Sequence, residues 1–187
     1  MNQSGDSIRV VHPLFQAGGG GSIPTSPLQL VFGQIDVDVA RRLLFVWHSR
    51  LPEISNWQGC SPCYGAECGG IWYAIAMWGP PVARMLNGRG WLELRRFAIA
   101  PDAPRNTASR MLSWMTRQVS KLGVQRAISY QDTAAHAGTI YRASGWKIGN
   151  TSEGGEWSRP SRGRASAQTA SKKVRWEMDL HRPNDPR

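Results

Sequence analysis

The sequence has little of what characterises secreted or membrane proteins. Among its 187 residues there are three cysteines, Cys60, Cys63 and Cys68, an odd number within one short stretch. The longest uninterrupted apolar run, residues 71–78, has eight residues, whereas roughly 20 are needed to span a bilayer. The N-terminus also lacks the charged-then-apolar layout of a secretion signal. These absences argue against a disulfide scaffold and against a membrane protein, so we expect a cytoplasmic protein with no membrane partner.

Acidic residues are scarce as well. There are 13 Asp and Glu residues against 23 Lys and Arg residues, which gives a formal net charge of +10. Of the 23 basic residues, 19 are arginine, whose planar guanidinium donates paired hydrogen bonds to phosphates and base edges. This imbalance predicts a polyanionic partner. A GC-rich genome, which encodes arginine by default, is the alternative explanation.

Hydrophobic residues make up 41% of the chain, enough for one domain with its own core. Residues 1–28 contain glycines and prolines without an apolar period, which predicts an irregular N-terminal arm. Residues 29–187 are predicted to form a single domain. Within it, residues 158–171 are rich in serine, arginine and glycine and are predicted to form a flexible basic loop.

The apolar pattern predicts alternating strands and helices. Apolar residues three and four apart predict helices over residues 36–50, 106–122 and 133–143. Continuous or alternating apolar residues predict strands over residues 71–78, 91–99, 124–130 and 172–180, and from 146 onward. Residues 53–70, rich in glycine, cysteine and proline, are interpreted as a loop. The predicted class is therefore α/β, with a central mixed twisted sheet flanked by helices.

This order of elements resembles the GNAT acetyltransferase fold over residues 37–180. In that fold the loop before the long helix offers backbone N–H groups and a helix N-terminus to a cofactor pyrophosphate. The resemblance implies cofactor contacts from Arg105, Asn106, Ser109 and Arg110, and a donor that is acyl-CoA-like or another activated two-carbon compound. The loop departs from the family's usual pattern because it has no glycine at the turn positions.

Two blocks of the sequence are more specific than the order of elements. The first block, residues 92–118, reads LELRRFAIAPDAPRNTASRMLSWMTRQ, and the second, residues 128–146, reads ISYQDTAAHAGTIYRASGW. Both blocks resemble the Mom family, the phage Mu-type proteins that hypermodify adenine in DNA. The second is the more specific, through its spacing of Ser129, Tyr130, Asp132, His136, Gly138, Tyr141, Gly145 and Trp146. The resemblance implies a GNAT-like catalytic domain that converts the N6 amine of adenine in double-stranded DNA to N6-carbamoylmethyl-adenine. It also implies protection of phage DNA from restriction, in the host cell cytoplasm.

An aromatic amine is a poor nucleophile because its lone pair is delocalised into the ring, so a site that modifies it must remove a proton. Asp132 follows the predicted strand at residues 124–130, where α/β sheets open their ligand crevice, and Tyr141 lies on the next helix. In the wider superfamily the tyrosine of this helix protonates the leaving group, and Tyr141 matches it by its place before the Gly-Trp pair. A core tyrosine with a satisfied hydroxyl is the alternative.

His48 lies in the last turn of the predicted first helix, where an isolated histidine is usually structural. The Mom resemblance carries a histidine at this position and implies a catalytic role for it. If His48, Asp132 and Tyr141 converge, their nitrogen and oxygen atoms form a set that can hold iron or another divalent metal. The expected catalytic residues are therefore these three, with metal binding kept as an alternative role.

The remaining candidates are a DNA-contacting segment, the cysteines and Glu93. For DNA we expect contacts from Trp157, Arg159, Arg162, Arg164, Lys172 and Lys173. The alternative is a solvated basic loop. The three cysteines are one short of a closed structural zinc site, so free thiols are the default interpretation. Glu93 is either a general base or a routine cleft residue.

Two other functions remain open from the sequence. One is a conventional acyl-CoA N-acetyltransferase that acts on a small-molecule or protein amine. The other is a non-catalytic DNA-binding module on a degenerate acetyltransferase scaffold. Donor, target sequence and oligomeric state do not follow from the residues.

Overall fold

The computed structural model describes residues 23–48, 57–152 and 171–180. These residues form one sheet of seven strands: β1 Val31–Gln34, β2 Cys63–Cys68, β3 Ile71–Gly79, β4 Trp91–Ile99, β5 Arg126–Asp132, β6 Lys147–Ser152 and β7 Lys173–Asp179. The α-helices in the described ranges are α1 Val37–Trp47, α2 Thr107–Ser120 and α3 Thr139–Ala143. The predicted α/β class with a mixed sheet is confirmed.

The strand order across the sheet is β1-β2-β3-β4-β5-β7-β6. All neighbouring pairs are antiparallel except β4 and β5, which are parallel. The connection between these two strands is α2, because parallel neighbours need a crossover from one end of the sheet to the other.

The helices pack on opposite faces of the sheet. On one side, which we call the α1 face, Leu43 and Leu44 of α1 pack against Ile75 and Met77 of β3. On the other side, the α2 face, the buried residues of α2 join a larger cluster with Trp78, Leu94, Tyr141, Trp146 and Trp176. The apolar stripe that predicted α2 is its buried face, formed by Met111, Leu112, Met115 and Val119.

Two predictions of local structure were wrong. Residues 53–70 were expected to be a loop, but β2 lies within them, paired with β1 on one side and β3 on the other. This strand has glycine, alanine and two cysteines in place of the usual β-branched residues, so its strand conformation depends on its neighbours. The helix expected over residues 133–143 begins only at Thr139, because Gly138 before it has a φ of 72°. Strand β1 was not predicted at all.

Several predicted segments lie outside the described residues. They are residues 1–22 of the expected N-terminal arm and residues 158–170 of the expected basic loop, so the proposed domain bounds stay a prediction. Of the arm, residues 27–29 form one turn of 3₁₀ helix. Within the described ranges, none of the helices has the length and apolar character needed to cross a membrane.

Candidate active site between the two parallel strands

Strands β4 and β5 separate at their carboxyl ends. Their pairing ends with Leu94 opposite Ser129. Beyond that point β4 continues to Ile99 against β3, and β5 continues to Asp132 against β7. Because each strand follows a different neighbour, an opening forms between them, which we call the β4–β5 opening. Ligands of open α/β sheets bind at such carboxyl ends, so this opening is the candidate active site.

A chain of hydroxyl groups lies at the point where the strands separate. The Tyr141 hydroxyl is 2.9 Å from Ser129 Oγ, and Ser129 Oγ donates to the carbonyl oxygen of Leu94 at 3.3 Å. Since the serine proton is directed to Leu94, the tyrosine hydroxyl donates to the serine. Tyr141 is therefore fixed by a hydrogen bond at the base of the β4–β5 opening, with its proton on the phenol oxygen.

The ring of Tyr141 is held by aromatic neighbours. The ring stacks on Trp176, with the two ring centroids 5.3 Å apart and the ring planes 11° apart. The centroids of Tyr141 and Trp146 are 5.7 Å apart. Only 7% of the residue is exposed. Burial raises the pKa of the Tyr141 phenol, and the hydrogen bond with Ser129 opposes that rise only in part. Tyr141 is thus a protonated donor at neutral pH, as a general acid must be.

His48 lies at the C-terminal end of α1, where its backbone N–H donates to the carbonyl of Leu44 at 2.9 Å. Its imidazole pKa is lowered by burial first, and then by Coulomb interactions with Arg96 and with His136. Arg96 pairs with Met77 of β3 and so lies on the α1 face. His48 is therefore neutral at pH 7 and able to accept a proton.

Asp132 is the last residue of β5. Its Oδ1 accepts the backbone N–H of Ala134 at 3.0 Å, and its carbonyl accepts the backbone N–H of His136 at 3.0 Å. Because side chains alternate along a strand, Asp132 is on the face of β5 opposite to Ser129. The turn that carries Asp132 and His136 thus approaches the α1 side, where His48 lies. Their catalytic roles stay a prediction.

The structure does not assemble the metal site that the sequence allowed. Tyr141 is hydrogen-bonded on the α2 face, whereas Asp132 and His48 are on the α1 side. Among the residues that the structure describes, no three His, Cys, Asp or Glu side chains lie close enough together to hold a metal ion. An iron or other divalent metal site formed by His48, Asp132 and Tyr141 would have to draw ligands from both faces of β5, so this arrangement does not favour it and the site stays a prediction.

The expected cofactor loop has the required turn without a glycine. Asn106, just before α2, has a φ of 67°. Apart from glycine, asparagine is among the residues that tolerate this left-handed conformation best. The first N–H groups of a helix have no acceptor within the helix, so the start of α2 offers donors to an anion. Ser109 Oγ bonds to Asn106 O at 3.2 Å, and the Ser109 carbonyl accepts Ser144 Oγ at 3.0 Å, which joins this turn to the end of α3.

Arg110 and Arg105 have different environments. The Arg110 guanidinium donates to the carbonyl oxygens of Pro27 and Leu30, the second at 3.3 Å, and lies 4.6 Å from the ring centre of Phe32. It therefore ties α2 to the segment before β1. Arg105 is exposed in the loop itself. Of the two expected arginine contacts to a cofactor, the arrangement favours Arg105.

We expect the Arg105→Ala variant to affect donor binding and the Arg110→Ala variant to affect stability. Loss of Arg105 should raise the KM for an anionic donor without changing the melting temperature. Loss of Arg110 removes charge-assisted hydrogen bonds to two carbonyls and should lower the free energy of unfolding by about 2 kcal/mol. Chemical denaturation and donor titration measure the two effects. Equal stability of the two variants would contradict this assignment.

Glu93 is a buried carboxyl on β4, paired with Ile128 across the parallel strands. It is 7% exposed, and its Oε2 accepts the backbone N–H of Val82 at 2.8 Å. Burial raises its pKa, while the Val82 hydrogen bond and the charges of Arg95 and Arg96 oppose the rise. Glu93 therefore fixes the loop after β3. The Glu93 side chain lies on the α1 face, near the β4–β5 opening.

The three cysteines lie on two different faces of the sheet. Cys60 and Cys63 are buried on the α1 face, whereas Cys68 packs against the cluster on the α2 face. The Cys63 thiol donates to the Cys60 carbonyl at 3.5 Å. Burial, with contributions from Cys60 and Asp36, raises the pKa of Cys63 to about 12, so it stays a thiol, whereas zinc binds thiolates. None of the three cysteines is in a disulfide, and their interpretation as thiols without zinc stays a prediction.

Most of the expected DNA contacts lie outside the described residues, namely Trp157, Arg159, Arg162 and Arg164. The other two are at the start of β7. Lys173 pairs with Asp132 of β5 on one side and Ser152 of β6 on the other, and the Lys172 carbonyl accepts two hydrogen bonds from Thr133. Ser152 and Lys172, the residues at the two ends of the chain between β6 and β7, therefore lie beside the carboxyl end of β5.

Sequence reasoning assigned no role to the residues that position these groups, although Ser129 belongs to the family spacing. Ser129 holds the Tyr141 hydroxyl, and Trp176 stacks on its ring. The Trp176 indole N–H donates to Gln131 Oε1 at 2.6 Å, and Gln131 Nε2 donates to the His136 carbonyl. Polar residues at alternate positions of an otherwise apolar strand, as at Ser129 and Gln131, are the signal that could have indicated them.

Comparison with known proteins gives a family and a fold. The model of the Mom protein family matches residues 29–180. No curated protein matches the chain.

A Bacillus subtilis acetyltransferase solved with CoA is 13% identical, with a TM-score of 0.59 over 82% of this chain and 99% of that one. A putative acetyltransferase from Salmonella typhimurium solved with acetyl-CoA is 10% identical, with a TM-score of 0.60 over 85% and 98%. A GNAT-family acetyltransferase from Streptococcus pneumoniae is 13% identical, with a TM-score of 0.56 over 81% and 99%. At these identities the likeness shows the GNAT fold.

Proposed function

Since the chain belongs to the Mom protein family, we propose that it is a transferase that converts the N6 amine of adenine in double-stranded DNA to N6-carbamoylmethyl-adenine. The modification would protect the DNA from restriction. One observation carries the proposal: the family match over residues 29–180 contains the whole β4–β5 opening and all three expected catalytic residues. Those residues are His48, Asp132 and Tyr141.

The reaction requires a proton acceptor and a proton donor on different sides of the reacting centre. The neutral imidazole of His48 and the carboxylate of Asp132 are on the α1 side, and either can take the proton that the amine loses. The protonated phenol of Tyr141 is at the base of the β4–β5 opening and can protonate a leaving group. This separation by β5 suits an acceptor that enters from the α1 side.

The donor is proposed to be an anionic compound that carries an activated two-carbon unit. Two solved neighbours contain CoA or acetyl-CoA, and the residues of this chain fit such a group: the left-handed turn at Asn106, the N-terminus of α2 and the exposed Arg105. Simple acyl transfer would leave an N6-acyl group, whereas a carbamoylmethyl group is attached through its methylene carbon. The donor must therefore present that carbon to the amine.

Nucleoside mass spectrometry of DNA from cells that express the protein tests the proposal. An N6-carbamoylmethyl deoxyadenosine is the expected product. An N6-acetyl product would favour an acetyltransferase of DNA, and acetylation of small-molecule or protein amines with unmodified DNA would favour the conventional acetyltransferase, which the fold of the neighbours supports. DNA binding without any modified base would favour a non-catalytic module. The last three outcomes all contradict the proposal.

Double-stranded DNA is the proposed partner, and the chain between β6 and β7 is proposed to contact its phosphates. Support comes from the charge of that segment and from the position of its two ends beside Asp132. Because N6 takes part in base pairing, the target adenine has to leave the stack before transfer. Phosphate contacts next to the β4–β5 opening would hold the duplex while the base is displaced.

Replacing Arg159, Arg162 and Arg164 together by alanine should weaken DNA binding to a similar extent for all sequences. The slope of log affinity against log salt should become shallower by up to about 0.9 for each of the three phosphates. Turnover at saturating DNA and the melting temperature should stay close to the parent's. A parental salt slope would contradict the contact and direct attention to Arg41, Arg42, Arg50 and Arg95.

A further inference from the structure

An exposed aromatic ring lies on the other side of β5 from the Tyr141 hydroxyl. Tyr130 follows Ser129, the last residue that pairs with β4, so it is the first residue of β5 in the β4–β5 opening. Alternation along the strand places its side chain on the α1 face. It is 39% exposed, whereas Tyr141, on the α2 face, is almost entirely buried.

Charged residues lie beside Tyr130 on the α1 face. Arg175 is the residue opposite it on β7, and its charge acts on the Tyr130 phenol. Arg175 is in turn fixed by Glu177 at 2.7 Å, and Glu177 also binds Arg126 at 2.8 Å. This ion-pair network borders the tyrosine on the β7 side, and the residue keeps 39% of its surface exposed. A tyrosine has only two side-chain torsions, so it loses little conformational entropy when a flat ligand stacks on its ring.

From this placement we infer that Tyr130 is the stacking surface for the acceptor base, an adenine displaced from the duplex. The inference rests on the proposed function. A purine on Tyr130 would lie on the α1 side with its edge towards the β4–β5 opening, between the proton acceptors of that side and the donor. An aromatic face is suited to this because every base has a π surface that can stack on it.

Four variants of Tyr130 distinguish the contribution of its aromatic ring from that of its hydroxyl and from that of its bulk in the structure. Tyr130→Phe keeps the ring and removes only the hydroxyl, and Tyr130→Trp also keeps an aromatic face. Tyr130→Leu keeps apolar bulk without an aromatic face, and Tyr130→Ala removes both. Phe45→Ala on α1 is the control for loss of an exposed ring, since Phe45 is an aromatic residue with 64% exposure, against 39% for Tyr130, and does not line the β4–β5 opening.

The experiment measures the initial rate of deoxyadenosine modification on duplex DNA, the affinity for the same DNA and the melting temperature. We expect the Ala and Leu variants to lower kcat/KM for DNA by about tenfold to a hundredfold. The Phe and Trp variants should keep it within a few fold of the parent. Affinity for DNA should change little in all variants, because phosphate contacts dominate it.

The results of this experiment distinguish a failure of the Tyr130 inference from a failure of the proposed function. If the parent protein modifies adenine and the Leu and Ala variants do so at the parental rate, Tyr130 is not the stacking surface. A Phe variant as slow as the Ala variant would overturn the inference in favour of a role for the hydroxyl. If the parent protein produces no modified deoxyadenosine, the proposed function itself fails and this inference fails with it.

Discussion

Replacement of Tyr141 by phenylalanine is expected to reduce adenine modification by at least about 100-fold, the usual contribution of a general acid. The variant retains the ring that stacks on Trp176 and loses only the hydroxyl that donates to Ser129. Ser129 keeps its own hydrogen bond to the Leu94 carbonyl. The free energy of unfolding should therefore fall by only about 1 kcal/mol. Nucleoside mass spectrometry and chemical denaturation measure the two effects.

Tyr64→Phe is the matched control for this variant. Tyr64 is also a buried tyrosine on the α2 face, with its ring against Trp114, but it belongs to β2 and lies away from the β4–β5 opening. Its variant should keep full activity. If Tyr141→Phe modified adenine at the parental rate, Tyr141 would be a core residue whose hydroxyl is merely satisfied by Ser129, as the alternative interpretation of the sequence holds.

Replacement of Asp132 by asparagine is expected to abolish modification while the fold persists. The amide retains an oxygen that can accept the Ala134 N–H, so the turn after β5 should keep its geometry. It cannot take up a proton at neutral pH or carry the negative charge that stabilises a protonated neighbour. The rate at saturating DNA should fall by about 100-fold or more, with unchanged DNA affinity.

Asp36→Asn serves as the control for Asp132→Asn. Asp36 caps α1 in the same manner, with its Oδ1 accepting the backbone N–H two residues later at 2.7 Å, and asparagine is an equally good cap. The Asp36 variant should therefore show parental activity and stability. Parental activity of Asp132→Asn would remove Asp132 from the mechanism. A large loss of stability in that variant would instead indicate a structural carboxylate.

Much of the fold could be predicted because its elements have strong local signals. The eight apolar residues of β3 and the apolar stripe of α2 are unambiguous in the sequence. Strands β1 and β2 have no such signal, since β2 reads CYGAEC and contains no β-branched residue. They are strands because each pairs with a neighbour that arrives from elsewhere in the chain, and such pairing is not encoded locally.

The candidate site was predictable in part. Asp132 follows from the rule that ligand sites form at the carboxyl ends of parallel strands, and Tyr141 from its place in a resemblance. The turn at Asn106 escaped the same reasoning because asparagine replaces the glycine that usually signals it. Arg110, which the resemblance places at the cofactor, donates to the carbonyls of Pro27 and Leu30, at sequence separations of 83 and 80 residues, and no local pattern indicates these contacts.

The sequence by itself determined the order of the main elements, the family resemblance and the basic character of the chain. The tertiary structure decided which face of the sheet each candidate occupies. Tyr141 and Asp132 lie on opposite faces, and so do Cys68 and the pair Cys60 and Cys63. Tyr130 lies at the β4–β5 opening. The physical reason is that the direction of a side chain depends on strand register, and register depends on partners that are distant in the sequence. Beyond Leu94 and Ser129, β4 stays paired with β3 and β5 stays paired with β7. The β4–β5 opening exists because these two strands separate there.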